Sequence, residues 1–247
     1  MEQLEGKTAV VTGAASGIGL AIVEAFVAEG MRVVMPDIDV ENLATQSARL
    51  AREGASVHAI AADVADPDAV DADGRAAIDR YGQLNVAVNN AGVVSRGYSW
   101  ELPLQDWQRV IDIDLWGVVN GIRSFVPLML ASGQEGHVVN TASMAAVLPM
   151  DRLGPYTVAK HGVLGLSDVL RAEFEVLGAP IGVSVVMPGM VKTAMNPIGT
   201  ISADVVAAHV VDAMRRQRSY VFTDDQGEAG LRDRLGRIIA SKAEESG

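Results

Sequence analysis

The amino-acid sequence predicts an α/β protein: a doubly wound parallel sheet of about seven strands, helices on both faces, in a single domain spanning 1–247. Three observations predict it. Short aliphatic runs alternate with helix-period segments along the chain. Those runs are apolar at consecutive positions (Val10-Val11, Val33-Val34-Met35, Val138-Val139), as strands covered on both sides must be. No Pro/Gly/Ser linker, repeat or low-complexity stretch divides the chain.

In order, the strand candidates are 8–12, 32–37, 57–63, 84–89, 137–143, 182–188 and 220–223. Each is a β-branched or aliphatic run bounded by Gly, Asp, Asn, Ser or Pro. Helical periodicity occupies 17–29, 40–53, 67–81, 104–131, 156–177 and 202–216, and the tail 241–247 reads as frayed. Strand–helix alternation of this kind implies parallel strands joined by right-handed crossovers.

Composition narrows the function classes. A net charge of −11 and a pI near 4.8 argue against nucleic acid or an anionic membrane as partner. With no cysteine, disulfides, thiolate catalysis and cysteine zinc sites are excluded. His58, His137, His161 and His209 lack metal-ligand spacing, so no metal is expected. Asp66, Asp68, Asp71 and Asp73 faintly suggest a calcium loop, but Ala69 and Arg80 stand where ligands belong; the segment reads as a solvated acidic helix start. No apolar run approaches the length of a bilayer span, and Met1 to Lys7 carry no signal segment, so a cytoplasmic location is expected.

The chemistry begins at the first strand–helix turn, Thr12-Gly13-Ala14-Ala15-Ser16-Gly17-Ile18-Gly19. Glycines here let a pyrophosphate approach the backbone while helix N-terminal amides face the anion. Taken alone, the trio also suits any tight turn. Asp37 closes the second strand, where a carboxylate accepts ribose hydroxyls and repels a 2′-phosphate. No Lys or Arg lies between Gly13 and Gly19 or directly after Asp37 to offset it, so NAD is expected over NADP. Asp63-Val64 ends the third strand, either as a plain turn or as an adenine contact.

Gly13, Ser16, Gly17, Ile18 and Gly19, then Asn89-Asn90-Ala91-Gly92, Ser143, Tyr156-x₃-Lys160 and Pro188-Gly189 together resemble the motif series of the short-chain dehydrogenases/reductases, over roughly 5–225. The resemblance implies a Rossmann-type fold and hydride exchange between NAD(H) and an alcohol or ketone. It implies Tyr156 as general acid/base, Ser143 as substrate polariser, and Lys160 as ribose binder and electrostatic partner of the tyrosine. Asn90, Ala91 and Gly92 would line the cofactor cleft; Pro188, Gly189, Val191 and Thr193 would hold the nicotinamide carboxamide.

The residues support part of this independently. Phenols ionise near pH ~10 in water, so an acid/base tyrosine needs a cation beside it, and Lys160 follows four residues later on the same helical face. Read alone, the two are an ordinary surface pair. Asp114 stands where the family usually has an asparagine, and the expectation is a surviving proton relay with altered pH dependence, or no kinetic effect. The short segment after Thr193 suggests an open, apolar-walled site with Met190, Met195, Met144, Val147 and Trp100 as lining. Apolar faces on 104–131 and 156–177, the helices the family pairs across a twofold axis, imply a homotetramer. The alternatives are an NADPH-dependent carbonyl (acyl-chain) reductase and a non-catalytic NAD-binding protein.

Overall fold

The computed structural model describes residues 1–223 and 227–244, the side chains of 242–244 excepted. Its strands are β1 (Thr8–Val11), β2 (Arg32–Asp37), β3 (Val57–Ala61), β4 (Val86–Asn89), β5 (Gly136–Thr141), β6 (Ile181–Met187) and β7 (Tyr220–Phe222). They form one sheet in the order β3-β2-β1-β4-β5-β6-β7, every pair parallel. The helices are α1 (Gly17–Ala28), α2 (Val40–Arg52), α3 (Pro67–Tyr81), α4 (Leu104–Ile111), α5 (Gly117–Ser132), α6 (Gly154–Leu177), α7 (Ala203–Arg216) and α8 (Glu228–Glu244). This is the expected doubly wound sheet. Strand order reverses between β1 and β4, and the crevice at the carboxyl ends of those two strands is where open α/β sheets bind ligands.

The double apolar character of the strands has a direct cause. Successive side chains point to opposite faces, so Ala9, Val11, Val33 and Met35 pack with α1 and α7, whereas Val10 and Val34 pack with α3, α5 and α6. Phe26 fills the first layer and Phe125 the second, both fully buried. A third apolar group beneath the site joins Val118, Met144, Val163, Val185 and Met187.

Several details depart from the sequence expectations. The segment 104–131 is interrupted by a π-helical turn, Asp112–Trp116, between α4 and α5. Leu104–Ser132 is long and apolar enough to cross a bilayer by length and composition, against the expectation that no run comes close; here it carries buried Asp114 and Asn120 and packs between α3 and α6. The helix α8 was not foreseen, although Leu231, Leu235, Ile238 and Ile239 carry helical spacing. It takes in 241–244 of the tail expected to fray, and 245–247 lie outside the described residues.

The acidic helix start is the clearest correction. Asp66 caps α3 by accepting from the Asp68 amide at 3.0 Å. Asp73 is not solvated: it shares one helical face with Val70 and Ala77, is 0% exposed, and neither carboxyl oxygen has a hydrogen-bond partner among the described residues. Burial pushes its pKa up to about 7.

Candidate active site

A cavity of about 710 Å³ opens at the carboxyl ends of the strands. Its first wall is the turn between β1 and α1. Gly13 adopts φ +67°, a left-handed conformation open chiefly to glycine. Gly13, Ser16, Gly17 and Ile18 line the cavity. Gly19 does not: it packs behind the turn, where a Cβ would strike the Gly13 carbonyl and the Asn90 side chain. A Cβ on Gly17 would lie 3.3 Å from Thr193 Cγ2, filling the gap between the glycine turn and the segment after β6. No side chain caps α1 and its first turn carries no acid, so its leading amides stand at the cavity wall without a side-chain partner. Such a gap beside uncapped amides fits the pyrophosphate of a dinucleotide.

The second strand supplies Asp37, also on the wall. Its Oδ2 accepts from the Ala15 amide at 2.8 Å and its Oδ1 from the Asp39 amide at 2.9 Å, so the carboxylate is fixed to the glycine turn it faces. Asn42 Nδ2 donates to the Ala15 carbonyl at 2.7 Å and ties α2 to the same turn. Asp63 and Val64 line the cavity too; Asp63 Oδ1 accepts from the Ala65 amide at 2.9 Å, so a turn role and a cleft position coexist.

After β4 the chain crosses the cleft floor through Asn90, Ala91 and Gly92. Thr12 Oγ1 accepts from the Asn90 and Ala91 amides at 2.8 and 3.1 Å, and Asn90 Nδ2 donates to the Thr12 carbonyl at 3.0 Å. These bonds hold the ends of β1 and β4 together at the switch point. Beneath them runs a buried amide chain: Asn89 Nδ2 to Asn140 Oδ1 at 2.8 Å, Asn140 Nδ2 to Ser167 Oγ at 3.0 Å.

Ser143, just past β5, has an extended backbone and lines the cavity, and its Oγ accepts from the Ala145 amide at 3.1 Å. Tyr156 and Lys160 lie one turn apart in α6, which Gly154 and Pro155 open close to the wall. Lys160 Nζ is 5.5 Å from the Tyr156 ring centroid and donates to the Thr141 carbonyl at 3.1 Å. It also meets Asp114 Oδ2 at 3.1 Å, both side chains buried (3% and 0% exposed). The π-helical turn carries Asp114; such turns insert a residue and re-aim side chains. Asp114 Oδ1 accepts from the Val93 amide at 2.7 Å. A Cβ on Gly92 would sit 3.1 Å from Asp114 Oδ2 and 3.5 Å from Lys160 Nζ, so glycine there keeps the pair accessible from the cleft.

The two charges perturb each other in opposite senses. Burial raises the Asp114 carboxyl above its ordinary range, and the Lys160 ammonium pulls it partly back. Burial draws the Lys160 ammonium down, but the charges of Asp114 and Tyr156 outweigh it and hold it above the usual lysine range. The pair supplies a fixed, desolvated cation beneath the tyrosine.

Pro188, Gly189, Met190, Val191, Thr193, Met195 and Asn196 complete the far wall. The short segment there is pinned by a Val191–Ile201 bridge, with the Lys192 amide donating to the Ile201 carbonyl at 2.8 Å. Of the expected apolar lining, Met144, Met190 and Met195 face the cavity. Val147 does not, and Trp100 is 79% exposed, stacked on Tyr98 at 5.0 Å outside the cleft. Sequence reading missed Arg96, Met150, Asp151 and Leu153, which lie on loops with no periodicity to betray them, and Gly227 at the start of α8.

The family model described as short chain dehydrogenase matches residues 7–199. A 1-deoxy-11-beta-hydroxypentalenate dehydrogenase of Streptomyces avermitilis is 40% identical over 254 residues, covering 98% of this chain and 93% of its own. Among solved structures, a short chain dehydrogenase/reductase from Burkholderia phymatum in complex with NAD superposes with a TM-score of 0.95 at 31% identity, covering 98% of this chain and 97% of that one. A short chain dehydrogenase from Burkholderia cenocepacia J2315 in complex with NADP superposes with a TM-score of 0.83 at 27% identity, covering 90% and 98%.

Proposed function

The chain belongs to the short chain dehydrogenase family and is an oxidoreductase acting on alcohols, and from that premise we propose that it exchanges hydride between NAD(H) and a secondary alcohol or its ketone, with Tyr156 as general acid/base. The observation that carries this reading is the convergence of Ser143, Tyr156 and Lys160 with the glycine turn on one cavity.

When bound, the nicotinamide supplies the hydride acceptor or donor. The chain does the rest. Gly13, Ser16, Gly17 and Ile18 receive the pyrophosphate; Asp37 takes the adenosine ribose hydroxyls; Asp63 and Val64 border the adenine. Asn90, Ala91 and Gly92 support the second ribose together with Tyr156 and Lys160, and Pro188, Gly189, Val191 and Thr193 hold the carboxamide. Ser143 Oγ donates to the substrate oxygen and fixes it near Tyr156. In oxidation Tyr156 Oη receives the hydroxyl proton, and in reduction it returns it. The Lys160 ammonium places positive charge beside the ring whose oxygen would bear the negative one. Asp114 acts through Lys160 rather than on substrate.

Preference for NAD is supported by Asp37, whose two backbone bonds fix it on the wall, and by the cavity's basic residues among those described. These are Lys160 and Arg96 alone, neither on the strand-end turns that surround Asp37. The name of the Streptomyces relative supports a hydroxy acid as substrate. Exposed Trp116, Val158 and Val169 on the π-helical turn and α6 support twofold association toward a tetramer, which light scattering would size.

The reading is tested by following nicotinamide absorbance with NAD and a panel of secondary alcohols. Tyr156→Phe is expected to lower kcat by about 10²–10⁴-fold while NADH still binds. A variant that turns over like the parent would remove Tyr156 from the mechanism; no turnover by the parent, with NADH bound, would favour a non-catalytic binder.

A further inference from the structure

We infer that Arg96 makes the cleft selective for substrates bearing a carboxylate on a compact apolar skeleton, the acid group lying away from the reacting hydroxyl. The inference deepens the functional reading above and rests on it for the position of the hydroxyl.

The substrate side of the cavity is apolar, with Val94, Met144, Leu148, Met150, Leu153 and Met190 on its wall. Among the described residues, each charge on the cavity wall has an answering group save one. Lys160 is matched by Asp114 at 3.1 Å. Asp37 accepts two backbone amides and Asp63 one. Asp151, exposed at the rim, has Arg152 at 3.8 Å. Arg96 lines the same cavity with no acid within 4.0 Å and no hydrogen bond among the described residues.

That matters because the protein as a whole carries a net charge of −11, a field that repels anions. A local guanidinium is what would admit one, and its planar fork fits a carboxylate through two parallel hydrogen bonds.

Position defines the ligand further. Arg96 stands on the loop that leaves Gly92, beside the Asp114–Lys160 pair, and reaches Gly97, which is bridged to Leu153; the Gly97 amide donates to the Arg152 carbonyl at 3.0 Å. Four residues span at most about 14 Å. Arg96 is therefore held within about 14 Å of Gly92 on the cavity wall it shares with Ser143 and Tyr156, so one molecule in the cleft can present an acid to the guanidinium and a hydroxyl to the tyrosine.

The test compares adamantane-1-carboxylate with adamantane-1-carboxamide, two caged molecules of the same shape differing in charge, binding to protein saturated with reduced nicotinamide cofactor. The acid is expected to bind at least about tenfold more tightly than the amide. R96Q should bring the ratio close to one, and R96K, which keeps the charge without the fork, should retain part of it. Arg96 makes no hydrogen bond or ion pair within the described fold, so R96Q removes none of its internal bonds. Equal affinity for acid and amide in the parent, a preference that survives R96Q, or failure of both molecules to bind would each overturn the proposal. The assay needs no turnover. An acid preference without oxidation of any secondary alcohol would sink the dehydrogenase reading and leave the Arg96 site; turnover without acid preference would do the reverse.

Discussion

Replacing Asp73 by asparagine should change how stability depends on pH, with a sign and size that follow from its surroundings. Asp73 is fully buried on α3 with neither oxygen paired, and burial raises its pKa from 3.8 to about 7. Below the unfolded value both states hold the proton. As pH rises the unfolded chain releases it while the folded chain keeps it, so stability falls until the folded carboxyl also ionises. Over the whole interval the loss is about 4 kcal/mol, at about 1.4 kcal/mol per pH unit. Roughly half of that, about 2 kcal/mol, lies between about pH 5.5 and 8.5, clear of the pI near 4.8 where solubility is poorest. Asp73→Asn abolishes the titration. Whatever its stability at the acid end, it should gain about 2 kcal/mol on the parent across that range, a relative rise in melting temperature of about 4–8 °C for a chain of this size. The difference between the two proteins must be measured, not the parent's slope. His137 has its own linkage, burial pushing it down to about 3, so stability is lost as pH falls through the ordinary histidine range. The two slopes oppose each other where they overlap, and subtraction removes the histidine's. Urea midpoints or melting temperatures at fixed protein concentration give the readout. A difference that does not vary with pH would refute the argument and mean that Asp73 ionises freely.

Further perturbations probe the cleft itself. Asp37→Asn, which keeps the acceptor from Ala15 but removes the charge, should narrow the NADH-over-NADPH binding ratio by about tenfold or more; nicotinamide fluorescence titration reads it, and a parent that binds both equally would contradict the premise. Asp114→Asn removes the charge that answers the buried Lys160 ammonium but keeps an amide oxygen able to accept from it beside the Thr141 carbonyl, so the cost in stability should be about 1–3 kcal/mol. With its partner charge gone, burial draws Lys160 down, and the limb of the pH–rate profile that follows Lys160 should move to lower pH. An unchanged profile would leave Asp114 a packing role only.

The glycine turn and the Tyr156–Lys160 pair are legible because their signals are local. The glycine turn encodes a backbone conformation within seven residues, and Tyr156 and Lys160 meet through the helical repeat alone. Strand–helix alternation then set the order in which these pieces reach the carboxyl ends of the strands. Gly19 packs behind the turn against Asn90, a placement its motif does not reveal because the same spacing serves a glycine on the wall and one behind it. The three methionines face the cavity, whereas Trp100 stacks on Tyr98 outside it.

What the sequence by itself determined is therefore the class of fold, the glycine turn and the tyrosine–lysine pair, each a consequence of contacts within one or two turns of chain. Only the tertiary structure decided the rest. Asp73 looks like any acid near a helix start until the face it shares with Val70 and Ala77 is packed inward, and α3 has to meet the sheet for that to happen. Asp114 and Lys160 are 46 residues apart and become a buried pair only where a π-helical turn aims one at the other. Arg96 reaches the cavity wall on a loop that is bridged through Gly97 to Leu153, far along the chain. Burial and charge pairing depend on groups distant in sequence, and no local pattern of residues encodes them.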